Sequence, residues 1–169
     1  MLPLQELGIA VKTRRADMGL TQAALARISG LSRSTVNSLE NGAIKDLSVN
    51  RAHKLLEVIG LSLSIPEVHP RTRRAGTARS PALEVATRTA NVSYKSQVTG
   101  AQIRTALLKG EVPASAFANV RALLDEAPVS MLARVVEQIH AESKVSRAAV
   151  WKNMRSVAHQ MQVQRDIFQ

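Results

Sequence analysis

The sequence predicts an all-α protein in two helical units, and three observations carry that expectation. Apolar residues recur three and four positions apart through most of the chain, the spacing of one helix face. Hydroxyl residues and prolines stand where these runs begin, and glycines where several of them end. A basic stretch containing three prolines divides the runs into two groups, giving helical units at 1–65 and 83–169 around a linker at 66–82. With 45% apolar residues among 169, the chain has enough material for two small cores.

The first helix reads from residue 4 to 18, with Pro3 in the first-turn position that tolerates proline. Leu7, Val11 and Arg15 share one face, and Gly19 ends it. Thr21 then caps a run carrying Ala24, Leu25 and Ile28, which Gly30 stops. Ser32 caps the next helix, which buries Val36 and Leu39 and closes at Asn41-Gly42. Two short helices joined by so tight a turn form a helix-turn-helix. Residues 43–47 read as a loop, and Ser48 caps a helix with Ala52, Leu55, Leu56 and Ile59 inward and Gly60 at its end.

Residues 61–65, Leu-Ser-Leu-Ser-Ile, alternate strictly, which is the period of a strand. A lone strand cannot satisfy its own backbone, so Leu61, Leu63 and Ile65 invite pairing with a second copy across a dimer axis. The alternative is an extended tail that packs its two leucines on its own unit. The linker follows, with Arg71, Arg73, Arg74 and Arg79 against a single acid, Glu67, making it the densest positive charge in the chain. It either tracks phosphates or serves as a solvated hinge.

Helical periodicity then returns. Thr99 and Gln102 have capping-box spacing ahead of Ile103, Leu107 and Leu108. Pro113 opens a helix bearing Phe117, Val120 and Leu124, and Pro128 opens another with a wide stripe of Met131, Leu132, Val135, Val136 and Ile139. Ser146 caps the last, which carries Val150, Trp151, Met154, Val157, Ala158 and Met161. Stripes of this kind fill the core of a small helical bundle, with any surplus available for a partner or for oligomerisation.

Composition narrows the function. A net charge of +10 favours an anionic partner, nucleic acid or a membrane surface. No apolar run reaches membrane-spanning length and the N-terminus lacks the pattern of a signal peptide, so the expectation is a soluble cytoplasmic protein without a membrane partner. The absence of cysteine removes disulfides, thiolate zinc sites and thiol catalysis. There is no phosphate-binding glycine loop, no Gly-x-Ser-x-Gly elbow, and His53, His69, His140 and His159 have no metal-ligand spacing. The expectation is therefore no enzyme, no metal and no cofactor. An aromatic content of 2% also disfavours single-stranded nucleic acid, which is held by stacking.

The outward face of the second motif helix supplies the positive reading. Ser34, Asn37, Ser38 and Asn41 point away from Val36, with Arg33 at the flank of the first turn. Arg is bidentate to guanine and Ser serves several bases, so this set suits a major-groove reader. Taken alone, it is more simply an ordinary solvated face. Lys45, in the following loop, stands within reach of a phosphate or is merely solvated.

The run Thr21-Gln22, Leu25-Ala26, Gly30-Leu31-Ser32, Val36 and Leu39-Glu40-Asn41-Gly42 resembles the lambda-repressor-like, Xre-type helix-turn-helix family, over roughly residues 4–65. The resemblance implies that Gln22 touches a backbone phosphate, that Arg33, Ser34 and Ser38 face bases, and that Arg15 pairs with Glu40. A pairing there has a physical basis, because an inward acid needs a partner. The alternating segment is similar to that of HipB-like antitoxins, which implies a homodimer. The sequence reading is thus a dimeric repressor of its own operon on a palindromic double-stranded operator. The alternative is an antitoxin whose C-terminal bundle neutralises a partner toxin.

Overall fold

Capping chemistry fixes the first four helices. The computed structural model describes residues 4–63, 81–92, 94 and 96–169. Helix α1 spans Leu4–Asp17, α2 Gln22–Ser29, α3 Arg33–Glu40 and α4 Val49–Val58. Thr21 accepts the amide of Ala24 at 3.0 Å, and Ser32 accepts that of Thr35 at 3.1 Å, so each motif helix begins on a hydroxyl cap. Gly30, at φ 70°, takes the left-handed conformation that reverses the chain between α2 and α3. Ser48 stands at the N-cap of α4, but its side chain makes no capping bond there.

These helices close on Val11, Leu25, Val36, Leu39, Leu55 and Ile59, all fully buried. Helix α3 lies against both α1 and α2. Its contact with α1 is backbone-close, since a Cβ on Gly8 would stand 2.0 Å from the carbonyl oxygen of Leu39.

The expected strand at 61–65 does not form over the part described. Leu61 to Leu63 adopt no regular element. The reason lies in the end of α4: Gly60, at φ 69°, turns the chain so that the Leu61 amide donates to the Leu56 carbonyl at 2.9 Å. That amide is committed to the helix end rather than to a ladder. Leu61 packs, half-buried, against the core, whereas Leu63 is exposed. Ile65, residues 66–80 of the basic linker with His69, and Pro3 lie outside the described residues, and the linker's last residue, Ala82, opens α5.

The C-terminal helices are α5 Ala82–Asn91, α6 Gly100–Lys109, α7 Phe117–Glu126, α8 Val129–Ser143 and α9 Arg147–Gln160. Helix α5 packs on α6, α7 and α8, and α9 packs on α6 and α8. Thr99 and Gln102 complete a reciprocal capping box at α6, and Ser146 caps α9 through the Ala149 amide. Pro113 opens a 3-10 turn, Ala114–Ala116, before α7 starts. Phe117, expected in the core, opens α7 directly after that turn and is 41% exposed, while Val120 and Leu124 on the same face are buried and Ala116 and Asn119 join the interior. Met131 is only half-buried on its stripe. The chain end adds core that the sequence reading missed: Val163, Ile167 and Phe168 are buried, and Arg165 donates to the carbonyls of Leu124 at 2.9 Å and Ala127 at 2.8 Å.

The two groups of helices meet where α1 contacts α9 and α4 contacts α8. Glu137 on α8 takes both Arg14, at 3.4 Å, and Arg147, at 2.7 Å, and Arg155 donates to the Met18 carbonyl. No helix among the described residues is long and apolar enough to cross a membrane.

Candidate nucleic-acid interface

Helix α3 separates its residues by chemistry. Val36 and Leu39 are fully buried, while Arg33, Ser34, Asn37 and Asn41 are exposed and Ser38 is half-buried. The Ser38 carbonyl accepts the amides of Ala43 at 2.8 Å and Ile44 at 3.1 Å, which folds the loop back against the helix end. Lys45 sits exposed in that loop. Ser34 and Ser38 line one side of a shallow cleft completed by Asp46 and by Arg51 from the first turn of α4. Asp46 and Arg51 carry no signal in the sequence, because neither falls on an apolar period or at a helix cap.

Beneath the outward face lies the charge that holds it. Arg15 grips Glu40 with two parallel bonds, Nε to Oε1 at 2.6 Å and Nη2 to Oε2 at 2.9 Å, and its Nη1 donates to the Leu20 carbonyl at 2.8 Å. The Glu40 side chain is completely shielded from solvent. Burial opposes its ionisation, but the hydrogen bonds from Arg15 and Gln22 and the charges of Arg15 and Lys12 prevail, and its carboxyl sits below the usual range. The same hydrogen bond to Glu40 raises Arg15 further, against the effect of burial.

Gln22, the first residue of α2, sends its Nε2 to Glu40 Oε2 at 2.9 Å and to Asn37 Oδ1 at 3.4 Å. Both of its side-chain protons are thereby engaged within the protein. The backbone N–H of Gln22, at the start of α2, has no intrahelical partner. Asn41 Nδ2 also donates to Asn37 Oδ1, at 3.1 Å. The structure thus joins Arg15, Gln22, Asn37, Glu40 and Asn41 into one hydrogen-bonded set. Arg33 stands apart from it, and the Ser34 hydroxyl is tied to that of Ser32 at 2.8 Å.

Two helices crossing at a tight turn, the second buried on one side and polar on the other, define a helix-turn-helix, a DNA-binding fold of transcription regulators. Residues 11–65, about one third of the chain, match the protein-family model described as helix-turn-helix. No curated protein and no solved structure matches the chain. The match supports a DNA-binding transcriptional regulator that acts on double-stranded DNA.

Proposed function

We propose that this chain is a dimeric, sequence-specific repressor that binds a palindromic operator ahead of its own operon. The observation that carries the proposal is α3, whose inner side is anchored by Val36, Leu39 and the Glu40 pair while Arg33, Ser34, Asn37 and Asn41 are left exposed. Arg33 pairs with guanine O6 and N7, Ser34, Ser38 and the two asparagines read neighbouring edges, and Lys45 with the start of α2 fixes the register on phosphates. One recognition helix covers only a few base pairs, so useful affinity requires two half-sites about one helical turn apart and two copies of the chain. In this organisation residues 1–65 bind DNA, 66–82 link, and 83–169 form the second domain.

Footprinting upstream of the protein's own gene, followed by competition with single-base variants, tests the reading. Arg33→Ala should lose roughly 1 to 3 kcal/mol of discrimination at one base pair of each half-site. An Arg33→Ala protein with unaltered preference at every position would remove Arg33 from the readout, and one chain per operator by light scattering would remove the dimer. A second reading, an antitoxin whose C-terminal helices neutralise a toxin, draws on three exposed apolar residues there, Val92, Tyr94 and Phe117. A toxin encoded beside this gene that binds the isolated chain in defined stoichiometry would favour it.

A further inference from the structure

The hydrogen bonds beneath α3 run in one direction only, and the buried acid sets that direction. Glu40 is held ionised by Arg15 and is therefore purely an acceptor. The Gln22 atom that meets it must be the amide nitrogen, as the 2.9 Å contact has it. That nitrogen's second proton faces Asn37, so the Asn37 atom turned inward must be its carbonyl oxygen. The Asn41 amide, 3.1 Å away, converges on the same oxygen. Each orientation is imposed by the one before it, starting from a group that cannot donate.

We propose that this relay fixes the donor and acceptor sense of the recognition surface. Asn37 presents its NH2 group to the groove and reads a base acceptor, while Asn41, with one of its two amide protons given to Asn37, keeps its carbonyl oxygen and its other proton for a base. An unconstrained asparagine contacts adenine with both ends, accepting from N6 and donating to N7. Asn37 lacks that option here, because two internal donors already occupy its oxygen. It takes purine N7, guanine O6 or thymine O4 and rejects cytosine, whose major-groove edge offers only the N4 donor. Asn41, one turn further on at the C-cap of α3, keeps both an acceptor and a donor and so retains the two-ended contact with adenine. The inference rests on the DNA-reading role proposed above and adds which base edges two residues select.

The test uses the full chain and a pool of random duplexes, from which bound sequences are recovered for the natural protein and for Asn37→Asp. Aspartate keeps the shape and the inward acceptor but has no proton to offer the groove. Asn37 is exposed, so the variant should unfold at the natural temperature, which a thermal melt verifies. The expected result is one half-site position where the natural protein disfavours cytosine on the contacted strand about tenfold. The Asn37→Asp protein should reverse that preference toward cytosine. Glu40→Gln, checked for folding by circular dichroism, should flatten the preference at that position, because a neutral amide no longer dictates which way Gln22 faces. Cytosine preferred at the Asn37-dependent position, or no change in preference in Asn37→Asp, would overturn the relay while leaving DNA binding intact. Failure of the natural protein to enrich any duplex would overturn the DNA-reading role, and the relay's function with it.

Discussion

The N-terminal helices bury a charge, Glu40, whereas the C-terminal helices bury a neutral amide, Asn119, and both side chains are almost wholly removed from solvent. Each organises its surroundings. Asn119 donates to the carbonyls of Ser96 at 2.9 Å and Ala90 at 3.2 Å and to the side chain of Asn91 at 3.0 Å, pinning the connection between α5 and α6. Asn91 in turn clasps the backbone of Val98 through both N–H and C=O, each at 2.9 Å. An amide carries donors and acceptors together and needs no external charge to complete its network. A carboxylate requires an external cation and donors, so Glu40 ties together α1, α2 and α3 beneath the outward face of α3.

The difference predicts unequal sensitivity. Removing Arg15 or Glu40 alone, as Arg15→Met or Glu40→Ala, should cost about 3 to 5 kcal/mol by stranding the remaining charge, and replacing both with apolar residues should cost much less. Denaturant melts of the singles and the double measure this. Additive losses near 0.5 kcal/mol each would describe an exposed pair and erase the contrast. In the other half, Asn119→Ala should cost about 1 to 3 kcal/mol, the penalty for unpaired buried polar groups. A loss exceeding that of the charge pair would invert the comparison.

Acid sharpens it further. The Glu40 carboxyl titrates lower in the fold than in the unfolded chain, where a glutamate ionises near pH 4.3. Its contribution to stability is therefore complete above about pH 4.3 and is lost as the pH falls through the folded value. Unfolding followed from pH 7 into this range should show a steeper decline for the natural protein than for Glu40→Gln, and Asn119→Ala should keep the natural slope. Equal slopes for the natural protein and Glu40→Gln would mean that Glu40 is not the titrating group. The smallest expected effect separates two caps that look alike in sequence. Thr21→Ala should cost about 1 kcal/mol, because its oxygen takes the Ala24 amide, while Ser48→Ala should cost a few tenths at most. Melting temperatures of the two variants give the ordering.

Helix positions were legible because they depend on local chemistry: a hydroxyl at Thr21, Ser32, Thr99 or Ser146 satisfies the amides that follow it, and Gly30 reverses the chain whatever the neighbours do. Phe117 shows the limit, since it shares a helix face with the buried Val120 and Leu124 yet, as the first residue of α7, lies 41% exposed. Leu61 shows another, because alternation does not reveal that the first amide of the segment is already taken by a helix end. Val163 lies in a short irregular stretch and Ile167 and Phe168 in a single 3-10 turn, too short to show a period. At the candidate interface, the outward positions on α3 followed from its helical phase alone. The links from Gln22 to both Glu40 and Asn37 depend on how α2 crosses α3, a tertiary fact that spacing does not encode.

The contact between Gly8 and the Leu39 carbonyl gives α1 a further part in this design. With 2.0 Å between that oxygen and a would-be Cβ, the absence of a single methyl sets the thickness of the layer on which α3 rests. Even alanine at position 8 would act as a shim, lifting the last turn of α3 and tilting Asn37 and Asn41 relative to Arg33. How far α3 stands out from the body of the protein is thus set from behind, by a single residue of α1.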